Sequence, residues 1–129
     1  MNGYLLDTSV ALIALSTPEL LSAPVIKAIE KGPAFLSVVA YWEVMIKSMK
    51  GMLDVGDPRL WFGQTLEALD LRPLLYRPEH IAILFTLPPL HQDPFDRALI
   101  AQATAEKLAL LTTDAMIPSY ASDHFRVIR

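Results

Sequence analysis

The sequence contains no cysteine among its 129 residues. Disulfide bonds, zinc-thiolate sites and cysteine nucleophiles are therefore excluded. Redox chemistry is not expected for the same reason, and the absence of cysteine agrees with a reducing compartment. The N-terminus also lacks the basic and apolar regions of a secretion signal, so we expect a cytoplasmic protein.

Long apolar runs are missing as well. The longest stretch without Asp, Glu, Lys or Arg runs from His80 to Gln92 and contains two prolines, whereas a membrane-spanning helix needs about 20 apolar residues. No membrane span is expected. At 53% hydrophobic residues the chain is nevertheless too apolar for a disordered segment, and its length predicts one domain over residues 1–129.

Positive charge is scarce, since 14 acidic residues face 11 basic ones and give a net charge of -3. The chain as a whole therefore has no basic nucleic-acid footprint. If four carboxylates belong to one metal site, however, the remaining ten acids and eleven bases nearly balance. The acidity would then be local.

Several common site motifs are absent. The five glycines form neither a dinucleotide-binding nor a P-loop pattern, and GxSxG and HExxH are missing. The isolated histidines are expected to lie at the surface or to make local hydrogen bonds: His80, His91 and His124. The two tryptophans and five phenylalanines are expected in the core, since no basic run alternates with them.

What the sequence does contain is an alternation of short apolar strands and helices. Strands are predicted at Tyr4 to Leu6, Ala34 to Leu36, Leu71 to Tyr76, Leu108 to Thr112 and Phe125 to Ile128. Helices are predicted at about Ser9 to Ser16, Ala23 to Lys31, Val38 to Lys50, Leu60 to Leu69, Pro78 to Phe85 and Asp93 to Lys107, with a short one from Ala115. Such alternation predicts a three-layer α/β/α domain with a central parallel sheet of four to five strands.

Acidic residues recur where these predicted strands end. Asp7 and Asp114 follow the first and fourth strands, Glu43 lies in the helix after the second, and Asp93 and Asp96 open the long helix. In parallel sheets, sites form at the carboxyl ends of the strands, so these acids are expected to converge. Clustered carboxylates need a compensating cation, and oxygen ligands favour Mg²⁺ or Mn²⁺. Such a metal activates water for phosphodiester hydrolysis.

A simpler explanation fits each acid taken alone. Asp is a good N-cap, and Asp93 followed by Pro94 and Asp96 is a typical helix start. Glu43 has Lys47 four residues later, a spacing that forms surface ion pairs. The helical position of Glu43 predicts partial burial, however, and caps need not converge in space. The coincidence across separate units therefore favours a site.

Four segments resemble the PIN-domain ribonucleases, and among them the VapC-type toxins of bacterial toxin-antitoxin pairs. The segments are Leu5-Leu-Asp-Thr-Ser9, Ser37-Val-Val-Ala-Tyr-Trp-Glu-Val-Met-Ile-Lys47, Leu87-Pro-Pro-Leu-His-Gln-Asp-Pro-Phe-Asp-Arg-Ala-Leu-Ile-Ala-Gln-Ala103 and Leu111-Thr-Thr-Asp114. The resemblance implies four metal-binding, catalytic acids, Asp7, Glu43, Asp96 and Asp114, with Thr112 or Asp93 assisting. It implies that a metal-activated water cleaves RNA, often a structured tRNA or rRNA.

The resemblance further implies a homodimer and a cognate antitoxin that presents a basic or aromatic segment to the acidic site. Position 116, an acid in some PIN domains, is Met116 here, which puts a second metal position in doubt. Four basic side chains are candidates for phosphate contacts, although each has the simpler explanation of a solvated helix charge: Lys47, Lys50, Arg97 and Lys107.

Two other functions stay open. A phosphatase or phosphoacceptor domain would use Asp7, but Asp7-Thr8-Ser9 lacks the second acid of a DxD motif and no lysine follows the late strands. A PIN-like module that binds RNA or protein without cleavage is the other, and the complete acid set argues against it. Metal-dependent turnover separates these alternatives from a nuclease.

Overall fold

The computed structural model describes residues 3–89, 93–114, 117 and 126–129, and a five-stranded sheet forms its centre. The strands are Tyr4–Leu6 (β1), Ala34–Ser37 (β2), Arg72–Leu74 (β3), Ala109–Leu111 (β4) and Arg126–Ile128 (β5). Their order across the sheet is β3-β2-β1-β4-β5, and each neighbouring pair is parallel. The predicted parallel sheet of four to five strands is confirmed.

In the part of the chain that the structure describes, six α-helices connect and cover these strands. They are Thr8–Ser16 (α1), Ala23–Lys31 (α2), Val38–Met49 (α3), Pro58–Leu69 (α4), Pro78–Ile83 (α5) and Pro94–Glu106 (α6), with 3₁₀ turns at Pro18–Leu20 and Leu84–Thr86. Within the described residues, none of these helices has the length and apolar character that crossing a bilayer requires.

The bounds differ from the predicted ones where proline or a cap intervenes. Helix α4 starts two residues earlier than predicted because Asp57 caps it and Pro58 occupies its first position. Strand β3 is shorter than predicted, and it tolerates Pro73 because it lies at the sheet edge, where a missing N–H costs little. Some predictions lie outside the described residues: the short helix from Ala115, Met116, His91, His124 and Phe125.

Alternate side chains of β1 enter two separate cores. Tyr4 and Leu6 pack with residues of α1, α2 and α4 on one face of the sheet. Leu5 packs on the other face with Leu99 and Ile100 of α6. Because both faces of the sheet are covered, the arrangement is the predicted three-layer α/β/α domain.

The expectation that all tryptophans and phenylalanines lie in the core is wrong for two of them. Trp61 is buried, but Trp42 is 60% exposed and Phe85 is 96% exposed. The buried stripe of α3 consists of Val39, Ala40, Glu43 and Val44, so Trp42 falls beside it. There its ring forms an edge-to-face contact with the ring of Phe95, at a centroid distance of 5.1 Å.

A buried polar cluster fixes α6 to the segment around α5. His80 is fully buried; its Nδ1 accepts the Arg77 backbone N–H and its Nε2 lies 2.8 Å from the Glu106 carboxylate. The Tyr76 hydroxyl donates to a backbone carbonyl of α6, and Gln102 donates to the carbonyl that follows β3. The local hydrogen bonding expected of His80 is confirmed, and the cluster sets the position of α6.

Gly3 has a conformation and a packing environment that exclude a larger residue. Its φ is +124°, and an added Cβ would overlap the carbonyl oxygen of Pro33. Gly3→Ala should therefore lower the free energy of unfolding by at least about 1–3 kcal/mol. Gly63→Ala is the matched control, because Gly63 lies in α4 with open space around it and should gain up to about 1 kcal/mol. Urea unfolding of both variants measures the difference, and equal midpoints would contradict the steric constraint at Gly3.

Candidate active site

The centre of the site is the point where the strand order reverses. From β1 the chain moves to β2 and β3 on one side, and it later returns to place β4 and β5 on the other. Such a switch point opens a crevice at the carboxyl ends of the two central strands. Asp7 directly follows β1 and Thr112 directly follows β4, and the Asp7 N–H donates to the Leu111 carbonyl at 2.9 Å.

The Asp7 carboxylate has two different sets of partners. Its Oδ1 accepts the Val10 backbone N–H at 2.8 Å, which caps α1, and the Ser9 hydroxyl at 3.1 Å. Its Oδ2 accepts the hydroxyl of Thr112. The capping explanation for Asp7 is therefore correct, but it accounts for only one carboxylate oxygen. The other oxygen joins β1 to β4.

Burial raises the pKa of Asp7 above its ordinary value. The side chain is only 3% exposed. Hydrogen bonds from Thr112, Val10 and Ser9 act in the opposite direction, and the negative charge of Glu43 raises the pKa further. The net increase shows that the folded chain holds this negative charge at a cost.

Glu43 is the second buried acid, with 5% exposure on the inner face of α3. Its Oε1 accepts the Thr8 hydroxyl at 2.6 Å, and its Oε2 accepts the Lys47 ammonium at 2.6 Å. The expected pair with Lys47 exists, but the carboxylate is buried rather than on an open helix surface. The hydrogen bond to Glu43 raises the pKa of Lys47, and the charges of Asp93 and Asp96 add to this effect.

The start of α6 brings two more acids toward Lys47. Asp93 caps the helix by accepting two backbone N–H groups of the first turn, at 2.9 and 3.3 Å. Asp96 lies half-buried in that first turn. Arg97, a candidate phosphate contact, donates to the Pro88 carbonyl at 2.9 Å and so ties down the segment before α6.

The residues after β4 complete the set. The Thr112 hydroxyl accepts the Asp114 backbone N–H at 2.9 Å while it donates to Asp7. Asp114 itself is half-buried. Thr113 lies 3.0 Å from the Ser9 hydroxyl, so a second side-chain link joins the ends of β1 and β4.

The structure thus places the predicted acids around one edge of the sheet, in smaller groups rather than as a single closed cage. Asp7 interacts with Glu43, and Lys47 interacts with Glu43, Asp93 and Asp96. Within the part of the chain that the structure describes, no three such side chains lie close enough to form a metal site. The donor chemistry fits a hard divalent cation, since all the candidate donor atoms are oxygens. A cation would also offset the cost of burying the Asp7 carboxylate.

Sequence reasoning missed the roles of two hydroxyl residues. In the sequence, the two residues that follow Asp7 predict no more than a helix cap. In the structure, the Thr8 hydroxyl donates to the Glu43 carboxylate and the Ser9 hydroxyl donates to the Asp7 carboxylate. Their position directly after Asp7, in a turn that leads from strand to helix, is the signal that could have identified them. Both groups orient acids of the candidate site.

Comparison with known proteins assigns the fold. The PIN domain family profile matches residues 4–122. The chain belongs to the PIN domain family. No curated protein matches this PIN domain at a significant level.

Solved structures are similar to this PIN domain over nearly their whole length. DNA-bound VapBC from Salmonella typhimurium superposes with a TM-score of 0.72 and 12% identity, covering 99% of this chain and 98% of that one. VapBC2 from Rickettsia felis, bound to a promoter DNA fragment, superposes with a TM-score of 0.69 and 12% identity, covering 97% of this chain and 96% of that one. VapBC-5 from Mycobacterium tuberculosis has a TM-score of 0.63 and 20% identity, covering 100% of this chain and 99% of that one. At these identities the similarity concerns the fold.

The raised pKa of Asp7 predicts a pH-dependent gain for Asp7→Asn in metal-free buffer. A raised pKa means that the contribution of Asp7 to stability is complete below its ordinary pKa and is lost as pH rises through the raised value. Asparagine carries no charge, so the variant should have the higher Tm at neutral pH, and this advantage should vanish in acid.

Thermal unfolding from about pH 4 to pH 8 measures this effect. Asp57→Asn is the control with the opposite sign, because hydrogen bonding to Arg59 lowers the pKa of Asp57. Because the Asp57 side chain lies at the surface, its substitution should lower the Tm only slightly at neutral pH, and added salt should weaken this effect. A Tm difference between wild type and Asp7→Asn that is constant with pH would contradict the assignment.

Lys47→Met should lower the Tm in metal-free buffer. The substitution keeps an apolar stem but leaves the buried Glu43 carboxylate without its ammonium partner. Adding Mn²⁺ should restore part of the loss, because a cation replaces the missing charge. Lys50→Met is the matched control, since it removes a lysine charge from the end of the same helix, where the described residues form no salt bridge with it. Equal melting temperatures for the two variants would refute this role.

Proposed function

We propose that this PIN domain is a metal-dependent endoribonuclease that acts as the toxin of a toxin-antitoxin pair. The observation that carries the proposal is the buried Asp7 carboxylate at the switch point, with Glu43 near enough to raise its pKa. Two buried acids in a crevice are costly for stability, and catalytic sites are where such cost is commonly retained. Membership of the PIN family supports hydrolysis of RNA as the reaction.

Mg²⁺ or Mn²⁺ is the proposed cofactor, held by Asp7, Glu43, Asp96 and Asp114, and when bound it would supply an activated water and stabilisation of the leaving oxygen. The hydroxyl of Thr112 holds one oxygen of Asp7, and Thr8 holds one oxygen of Glu43. These bonds fix the carboxylates before any ligand arrives. Because no three acids of the described residues lie close enough to share a cation, Asp96 and Asp114 would approach these two carboxylates when the metal binds.

Other side chains keep this arrangement in place. Asp93 fixes the first turn of α6 and thereby the position of Asp96. Lys47 balances the charge of Glu43 and lies within electrostatic range of Asp96. Once a metal neutralises the acids, the Lys47 ammonium group is also a candidate substrate contact. Arg97, at the start of α6, is a second candidate.

Similar structures support the toxin assignment. The M. tuberculosis relative is described as a member of the VapBC family of toxin-antitoxin systems, and a Klebsiella pneumoniae relative as a toxin-antitoxin complex. By analogy we propose a cognate antitoxin that presents a basic or aromatic segment to the acidic edge, a homodimer, and a cytoplasmic location. Structured tRNA or rRNA is the proposed substrate class.

A PIN module that binds RNA or protein without cleavage is the alternative that experiment must distinguish from a nuclease. The structure offers it no specific support, because the hydroxyl contacts to Asp7 and Glu43 hold carboxylates that mere binding of RNA does not require. A phosphatase-like mechanism on Asp7 would need an exposed nucleophilic oxygen, whereas this side chain is only 3% exposed and both of its oxygens accept hydrogen bonds from the protein.

Asp96→Asn should abolish cleavage while leaving the protein folded. The carboxylate is replaced by an amide of the same shape, so a metal ligand is lost with little change in packing. Purified wild type and variant would be incubated with total tRNA and rRNA in Mn²⁺ and in EDTA. Discrete fragments are expected only from the wild type in Mn²⁺.

Asp57→Asn is the matched control for charge loss at a helix start. Asp57 caps α4 and pairs with Arg59, and asparagine retains the capping ability. This variant should cleave at the wild-type rate. Fragments from Asp96→Asn at that same rate would overturn the site assignment, and metal-independent cleavage by the wild type would overturn the mechanism.

A further inference from the structure

The basic residues that the sequence suggests for phosphate contacts already have a protein partner in the metal-free chain or lie away from the acids. Lys47 pairs with Glu43, and Arg97 donates to a backbone carbonyl. Lys107 ends α6 directly before β4, which places it at the opposite edge of the sheet from the acids. Lys50 caps the far end of the twelve-residue α3, about 18 Å along the helix from its start.

Arg129 is a further basic residue that the topology brings to the acidic edge. It directly follows β5, which runs parallel to β4 with Leu111 opposite Ile128. The next positions along the two strands are Thr112 and Arg129, and the Thr112 N–H donates to the Ile128 carbonyl at 3.1 Å. Within the described part of the chain, Arg129 forms no salt bridge.

A pocket of about 320 Å³ lies between Arg129 and the start of α2. Leu20 and Val25 form an apolar wall, while Ser22 and Thr113 contribute hydroxyl groups. Thr112 also lines it, so the pocket adjoins the Asp7 carboxylate that Thr112 binds. Thr113 connects it to the same carboxylate through Ser9.

We infer that this pocket binds a nucleotide of the RNA next to the scissile bond, with Arg129 on its phosphate. The inference rests on the proposed function. The pocket volume lies within the range of small-molecule sites, and its apolar wall suits the face of a base or ribose. Hydroxyl groups can hydrogen-bond the base edge, and a guanidinium binds phosphate oxygens in a bidentate manner. A polyanion approaching an acidic edge needs such a cation beside the acids.

The test compares Arg129→Gln with Arg126→Gln. Both substitutions remove one exposed arginine charge from β5 or its end, but Arg126 begins the strand and lies at the opposite edge of the sheet. The probe is a short fluorescein-labelled single-stranded RNA of mixed sequence, with binding measured by anisotropy in EDTA. Arg129→Gln should weaken binding about tenfold and make the slope of log K against log salt shallower by about 0.7. Arg126→Gln should change neither quantity by more than about twofold.

Steady-state cleavage of the same probe in Mn²⁺ gives the second readout. Arg129→Gln should raise KM more than it lowers kcat, because the phosphate contact is made before the reaction. Arg129→Lys should recover part of the affinity, since it restores the charge without the bidentate geometry. Melting temperatures near that of the wild type would establish that both variants are folded.

The outcomes separate this inference from the function on which it rests. If the wild type cleaves RNA in Mn²⁺ and Arg129→Gln binds and cleaves equally well, the proposed function stands and the inference is overturned. Equal losses for Arg129→Gln and Arg126→Gln would overturn it too, because only net charge would then matter. A wild type that neither binds nor cleaves this probe, and does not cleave the tRNA and rRNA mixture in Mn²⁺, would overturn both.

Discussion

The rest of the structure depends on the parallel pairing of β1 with β4. This pairing ends in two contacts at the carboxyl edge: the Asp7 N–H on the Leu111 carbonyl and the Thr112 hydroxyl on the Asp7 carboxylate. A slip of one residue would exchange the two faces of β1 and send Leu5 and Leu6 into the wrong cores. The same slip would separate Asp7 from Thr112. Fold and candidate site are therefore set by one register.

The acidic residues of the candidate site also have structural roles. Asp7 and Asp93 each cap a helix, and the same caps fix where the candidate site residues lie. Burial of Asp7 has a cost, since it raises the pKa of that carboxyl. Hydroxyl donors offset part of this cost, and the ammonium of Lys47 balances the charge of Glu43 in the metal-free chain. Under the proposed function, the fold gives up some stability to keep these charges where the reaction would need them.

Helix α6 shows how distant contacts support this arrangement. His80, buried between Arg77 and Glu106, attaches the far end of α6 to α5, while Asp93 fixes its first turn. Leu99 and Ile100 hold the middle of the helix against the sheet. Asp96 is thus carried on an element fixed at three points, and a rigid element keeps a site residue in position better than a loop does.

The sequence by itself determined the features that depend on near neighbours. Apolar strands alternating with helices predicted the parallel three-layer sheet, and Asp93 before Pro94 predicted the start of α6, because capping and periodicity act over a few residues. Only the tertiary structure decided which side chains meet. Trp42 is exposed, His80 is buried, Thr8 donates to Glu43 and Arg129 lies beside Thr112. Those outcomes depend on strand order and helix rotation, which arise from packing between segments far apart in the chain.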